Sequence, residues 1–175
     1  WVIVATKATA NVKLGEILSP LVDENTCLLT LQNGMGNVER LVELFGDRRT
    51  TVGGLCFTCI NRTSPTVVES ILPGYVQFGQ VGGALSGKAR DIMDAFGEAG
   101  VDAREAASLD EALWRKLCWN IPFNGLSVAA GGITTDKILA DSELAGRARS
   151  LMEELQQTAA AHEIDIEDAF LDRQF

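Results

Sequence analysis

Apolar residues along the chain change their spacing twice. Residues 1–6, WVIVAT, form an unbroken apolar run, and Ala10, Leu14, Ile17, Leu18 and Leu21 then recur at helical intervals until the stretch Pro20 to Val22. The order repeats in residues 26–32, TCLLTLQ, an apolar run broken by NGMG, after which Val38, Leu41, Val42 and Phe45 make a second helical stripe stopped by Gly46. TVGGLCFTCI, residues 51–60, reads as a third strand. Beyond it TVVES and YVQFG, separated by Pro73-Gly74, resemble an antiparallel hairpin. A helix over 86–96 and a short last strand, VDAREA, complete this half.

From Ser108 onward the strand signals stop. Ser108, Leu109, Asp110 and Glu111 have capping-box spacing, which starts a helix through WRKLCWNIPFNG, residues 114–125. A second long helix begins near Asp141 and aligns Leu144, Ala148, Leu151, Leu155 and Ala159. Alternating strand and helix ahead of an edge hairpin predicts an α/β fold: the C-terminal part of a mostly parallel, helix-covered sheet over 1–107, followed by the start of an all-α domain over 108–175. Ligands of such sheets bind at the carboxyl ends of the strands, where Lys7 and Asn33-Gly34 fall. The first run calls for strand neighbours on both sides, yet the chain opens inside it without a methionine, and IDIEDAFLDRQF ends without a closing element. An internal piece of a longer protein is therefore expected.

The stretch 114–125 poses a chemical question. At about 100° per residue, Leu109, Leu113, Lys116, Leu117, Asn120 and Asn124 share one sector, with Arg115 opposite and Trp114, Cys118 and Trp119 elsewhere. This phase predicts that an ammonium and two amides lie on the packed stripe of a helix that is apolar nearly all round. A lone lysine there would snorkel or pair with a carboxylate, and asparagines would cap nearby backbone. Three in register instead suggest a ligand site, and Pro122, which lacks an N–H, should bend the helix beside them. A desolvated lysine can release a proton near neutrality, as a general acid must, and amides can hold hydroxyl, carbonyl and carboxylate oxygens without adding charge. The set suits a small polar carbonyl acid.

Composition narrows the classes further. The 175 residues carry a formal charge of -9 with scattered basic residues, which argues against a nucleic-acid partner. No apolar run is long enough to span a bilayer and no signal peptide is evident, so a cytoplasmic protein without a membrane partner is expected. Of the four cysteines, the pair in CFTC falls in a β-rich run and is expected to hold buried strand thiols facing opposite ways. His162, the one histidine, suits a surface or capping role, and no spacing suggests a metal or a serine-histidine-aspartate set. Gly82-Gly83 and Gly131-Gly132 read as turns and not as phosphate loops.

LQNGMGN (31–37), WRKLCWNIPFNGLS (114–127) and TKA (6–8) together resemble the ketopantoate reductase family, in matching order and spacing over nearly the whole chain. The resemblance implies a Rossmann-like NADP-binding domain, a helical substrate and dimerisation domain, and NADPH-dependent reduction of 2-dehydropantoate to pantoate for pantothenate and coenzyme A synthesis. It implies Lys116 as the catalytic acid at the keto oxygen, Asn120 and Asn124 on substrate oxygens, Asn33 between nicotinamide ribose and substrate, and Lys7 with Asn33 and Gly34 on the cofactor side. A homodimer is compatible with it. The family's glycine-rich turn would precede Trp1, and its serine-rich segment and glutamate would follow Phe175; the fragment alone need not turn over. Two other readings stay open. One is another 2-keto or 3-hydroxy acid dehydrogenase of the 6-phosphogluconate dehydrogenase-like group; the other is a non-catalytic nucleotide-sensing relative.

Overall fold

The computed structural model describes residues 1–175, which divide into two compact units, Trp1–Leu109 and Asp110–Phe175. The first is built on a five-stranded sheet in the order β1 (Val2–Val4), β2 (Leu28–Thr30), β3 (Thr51–Ser64), β4 (Val67–Gly79), β5 (Asp102–Glu105). β1, β2 and β3 run parallel, β4 turns back against β3, and β5 is parallel to β4. The sheet is mostly parallel, as the alternating pattern predicts.

Successive residues of β2 explain why both faces are covered. Leu28 joins Val4, Leu14, Leu18 and Leu41 on the side of α1 (Leu14–Leu18) and α2 (Asn37–Phe45), whereas Leu29 joins Val52, Val76, Phe78, Ala89 and Ile92 on the side of α3 (Gly87–Glu98). Both leucines are fully buried. A short 3₁₀ segment, Ala8–Lys13, leads into α1, and 3₁₀ geometry returns at Ser19–Leu21, where Pro20 stands.

The hairpin departs from the sequence reading. Its turn lies at Pro65-Thr66, between β3 and β4, while Pro73-Gly74 sits inside β4. Phe57 pairs with Tyr75 but Cys59 pairs with Leu72, so two residues on β3 span three on β4 and the surplus bulges at Pro73-Gly74. A proline cannot give an N–H to the ladder, and Gly74, with φ of 58°, would collide through a Cβ with the Phe57 carbonyl. The pair breaks the register without reversing the chain. Two more register shifts follow, between Cys59 and Ile60 and between Arg62 and Ser64. The expectation of buried thiols in CFTC also fails: Cys56 is half-buried at the margin of the α3-side core, and Cys59, further along the hairpin, is exposed.

The second unit begins inside α4 (Leu109–Trp119), which passes through a π turn (Asn120–Asn124) into α5 (Gly125–Ala129). α6 (Thr135–Ala140), α7 (Ser142–Ala161) and α8 (Asp168–Asp172) complete it. Asp141 caps α7, its carboxylate accepting from the N–H groups of Glu143 and Leu144. Trp114, Cys118, Phe123, Leu126, Ile138, Ala148, Met152, Ile166 and Leu171 form the core. No helix is long and apolar enough to cross a membrane.

Candidate functional site

The sequence-predicted residues fall into two sets, one in each unit. The first set gathers at the carboxyl ends of β1 and β2. Leu31 continues the ladder, its N–H donating to the Val4 carbonyl, and beyond it the chain turns through Asn33-Gly34-Met35-Gly36 into α2. Gly34 and Gly36 have φ of 98° and 78°, values that residues with a Cβ seldom adopt, so the loop needs glycine at both places. Lys7, which precedes the 3₁₀ segment at the end of β1, and Asn33 and Gly34 are all exposed.

Three buried or half-buried amides bind the two strand ends together. Gln32 Nε2 donates to the Thr6 carbonyl at 3.0 Å, to Thr6 Oγ1 at 3.3 Å and to Asn11 Oδ1 at 2.8 Å. Asn11 Nδ2 in turn donates to Asn37 Oδ1 at 2.8 Å, and Asn37 Nδ2 donates to the carbonyls of Asn33 and Gly34, each at 3.2 Å. Thr30 Oγ1 donates to Gln32 Oε1 at 3.2 Å. Lys7, Asn33 and Gly34 are thus carried by turns that share one hydrogen-bonded support. Sequence reading did not single out Asn11, Gln32 or Asn37. One signal was present for Asn37, which precedes Leu41 by four residues and so lies on the buried stripe of α2.

The second set lies on α4 and the π turn. The phase expected from sequence is corrected here. Beyond Leu109, the buried positions are Ala112, Trp114, Cys118, Pro122 and Phe123, whereas Lys116 and Asn120 are half-buried and Asn124 is exposed. The core of this unit centres on the tryptophan side of the helix, with Leu117 packed at its margin, so none of the polar trio is fully buried. Arg115, expected on the far side, is half-buried, donating to Glu111 at 2.7 Å and Glu167 at 3.1 Å beside the Phe170 ring. Trp114 packs against His162, the residue that ends α7, with ring centroids 5.5 Å apart.

The π turn bears on the alignment of the trio. In an α-helix, residues four apart drift by about 40°, so Lys116 and Asn124 would diverge by about 80°. Bonds reaching one residue further wind the chain more slowly, and through Asn120–Asn124 they turn the drift back. Pro122, buried within the turn, has no N–H to offer a regular α-helical bond. The bend expected at Pro122 takes the form of a π turn. Cys118, on the opposite side, has its thiol pushed up to about 11 by burial.

A helix-covered, mostly parallel sheet with an Asn-Gly turn at a strand end, followed by a helical unit, is the layout of a Rossmann-like α/β protein with a helical extension. Residues 1–83 match the family model described as "Ketopantoate reductase PanE/ApbA", and residues 108–175 match "Ketopantoate reductase PanE/ApbA C terminal". A 2-dehydropantoate 2-reductase from Nostoc sp. is 32% identical over 175 residues, covering 97% of this chain and 54% of the relative. Among solved structures, 2-dehydropantoate 2-reductase from Geobacter metallireducens superposes with a TM-score of 0.90 at 38% identity, over 98% of this chain and 57% of that one. A D-mandelate dehydrogenase in complex with NADH shares the fold, with a TM-score of 0.86 at 21% identity over 98% of this chain and 58% of its own. The chain belongs to the ketopantoate reductase family. It spans about half the length of the relatives it matches.

Proposed function

We propose that this chain is the central portion of an NADPH-dependent 2-dehydropantoate 2-reductase, a cytoplasmic enzyme that reduces ketopantoate to pantoate on the route to pantothenate and coenzyme A. The observation that carries the reading is the register of Lys116, Asn120 and Asn124 along α4 and the π turn, on a face that the core leaves partly open. The first unit is the dinucleotide-binding part and the second the substrate and dimerisation part. Four free thiols accord with a reducing compartment.

The residues at the strand ends fit the nicotinamide end of such a cofactor. Exposed Lys7 and Asn33 stand at the carboxyl ends of adjacent parallel strands, and the positive-φ glycines let the backbone approach closely. When bound, the cofactor supplies the hydride. The Lys116 ammonium hydrogen-bonds the keto oxygen of the substrate and gives up its proton as the alkoxide forms. Asn120 and Asn124 hold the carboxylate and hydroxyl oxygens, orienting the keto carbon; Asn33 and Gly34 border the ribose, and Lys7 offers a positive charge on the cofactor side.

The test is oxidation of NADPH by the full-length enzyme with ketopantoate, beside Lys116→Ala in the same assay, with NADH and an aryl 2-keto acid as competitors. Turnover that depends on ketopantoate and vanishes with Lys116 supports the reading. Faster turnover of the aryl acid with NADH would move the chain to the hydroxy-acid dehydrogenases that share its fold, and absence of turnover with retained NADPH binding would point to a sensing relative.

A further inference from the structure

Three carboxamides run in line between the two strand-end loops that the proposed function places at the cofactor. We propose that Asn11, Gln32 and Asn37 are positioning residues, a relay that locks the Thr6-Lys7 turn to the Asn33–Gly36 loop so that a bound nicotinamide dinucleotide meets both in one fixed geometry. The inference rests on the reductase reading for the identity of the ligand.

The relay runs in one sense only. Both hydrogens of Gln32 Nε2 are committed, one toward Thr6 and one to Asn11 Oδ1, and both of Asn37 Nδ2 go to the carbonyls of Asn33 and Gly34. Turning the Asn37 amide over would set its oxygen against two carbonyls and its NH₂ against the NH₂ of Asn11. No single amide can flip without unpairing its neighbour. Gln32 and Asn37 are 8% and 6% exposed, so water cannot readily replace what a flip would lose.

The relay also fixes what the loop shows to the outside. With the carbonyls of Asn33 and Gly34 held toward Asn37, the planar trans peptides turn the N–H groups of Gly34 and Met35 the opposite way. A change at Asn11, which precedes α1, must therefore be felt at residues 33–36 through Asn37 and at Thr6 through Gln32.

The experiment uses the full-length enzyme with Asn11→Asp and Asn37→Asp, which keep the shape of the amide but remove its donors, and Asn11→Ala as the coarser cut. Amide hydrogen exchange, NADPH affinity by fluorescence, and kcat and KM for ketopantoate are measured on each, after circular dichroism has confirmed folding. Each variant should exchange faster at both residues 6–10 and residues 33–37. NADPH should bind about tenfold more weakly, the size of one lost net hydrogen bond, with a smaller change in KM for ketopantoate. Faster exchange confined to the substituted loop, or in both loops with NADPH affinity unchanged, overturns the proposal. A wild-type enzyme that neither binds nor oxidises NADPH would sink the reductase reading, and the relay would then be judged by exchange in the two loops alone.

Discussion

Gly53 and Gly79 face one another across the ladder between β3 and β4, and the side chain of Leu109 occupies the hollow they leave. A Cβ on Gly79 would lie 2.9 Å from Leu109 Cβ and 3.0 Å from its Cα, and one on Gly53 would lie 2.8 Å from Leu109 Cδ1. Leu109 is 3% exposed, closes the first unit and begins α4. Gly79→Ala meets backbone that cannot move aside, so it should destabilise the fold by about 1–3 kcal/mol, the usual range for overpacking. Gly53→Ala meets side-chain atoms alone, Leu109 Cδ1 and, at 3.2 Å, Val38 Cγ2, with no backbone in the way, and should cost less. Urea unfolding of both variants checks the order, and an equal or reversed effect would contradict this packing.

Substitution at the polar face of α4 should separate chemistry from binding. Lys116→Ala should lower kcat by about 10²- to 10⁴-fold, the usual contribution of a general acid, with the circular dichroism spectrum preserved. Asn120→Ala and Asn124→Ala should chiefly raise KM, because amides that hold ground state and transition state alike add uniform binding. Steady-state kinetics of the full-length enzyme decide it, and a loss confined to kcat in the asparagine variants would assign those amides to the transition state.

The regular parts of the fold were legible because their signals are local. The apolar run of β2, the stripe of α2 with its Gly46 stop and the Asp141 cap of α7 each lie within a dozen residues. The hairpin misled for a local reason too. Pro-Gly is the stronger turn signal, but the long-range register with β3 places it at a bulge and leaves the turn to Pro65-Thr66. Lys116, Asn120 and Asn124 were visible through their spacing, whereas the side of the helix they occupy was not. Trp114, Cys118 and Phe123 took the core instead, an outcome set by α7 and α8. Asn11, Gln32 and Asn37 were illegible as a set, since Asn11 lies 21 residues from Gln32 and 26 from Asn37 and only the fold joins them.

Acid should loosen the contact between β5 and the start of α3. The Glu105 carboxylate accepts from the Leu85 N–H at 3.0 Å and from Arg90 at 2.8 Å; the backbone bond first, then the arginine, hold it below its ordinary value of 4.5. A lowered folded value means the stabilisation is complete above pH 4.5 and is lost as the pH falls through the lowered value. Glu105→Gln should therefore unfold at a lower temperature than wild type near neutrality, with the gap closing in acid. Thermal unfolding between about pH 6 and pH 3 checks this, and a gap that does not change with pH would remove the carboxylate from the account.

Thiol reactivity should order the four cysteines by burial. Cys59 is exposed, Cys56 half-buried, and Cys27 and Cys118 buried, with the Cys118 thiol pushed up to about 11 by its apolar surroundings. Labelling at mildly alkaline pH, followed by mass spectrometry, should modify Cys59 first and leave Cys118 untouched until denaturant is added. Early modification of Cys118 would show that the core around Trp114 opens readily.

The three register shifts of the hairpin also bear on whether a foreign strand can add to its open edge. Ile60, Val67, Val68, Ile71 and Leu72 are all more than half exposed, and β5 pairs with β4 only over Tyr75 to Phe78, so the outer stretch of β4 has an open edge. On a flat ribbon, branched side chains along an open edge would template the addition of strands from neighbouring molecules, the first step toward a fibre. Here the ladder is interrupted between Phe57 and Cys59, again before Ile60 and again before Ser64, and the added twist leaves a foreign strand no evenly spaced run of partners.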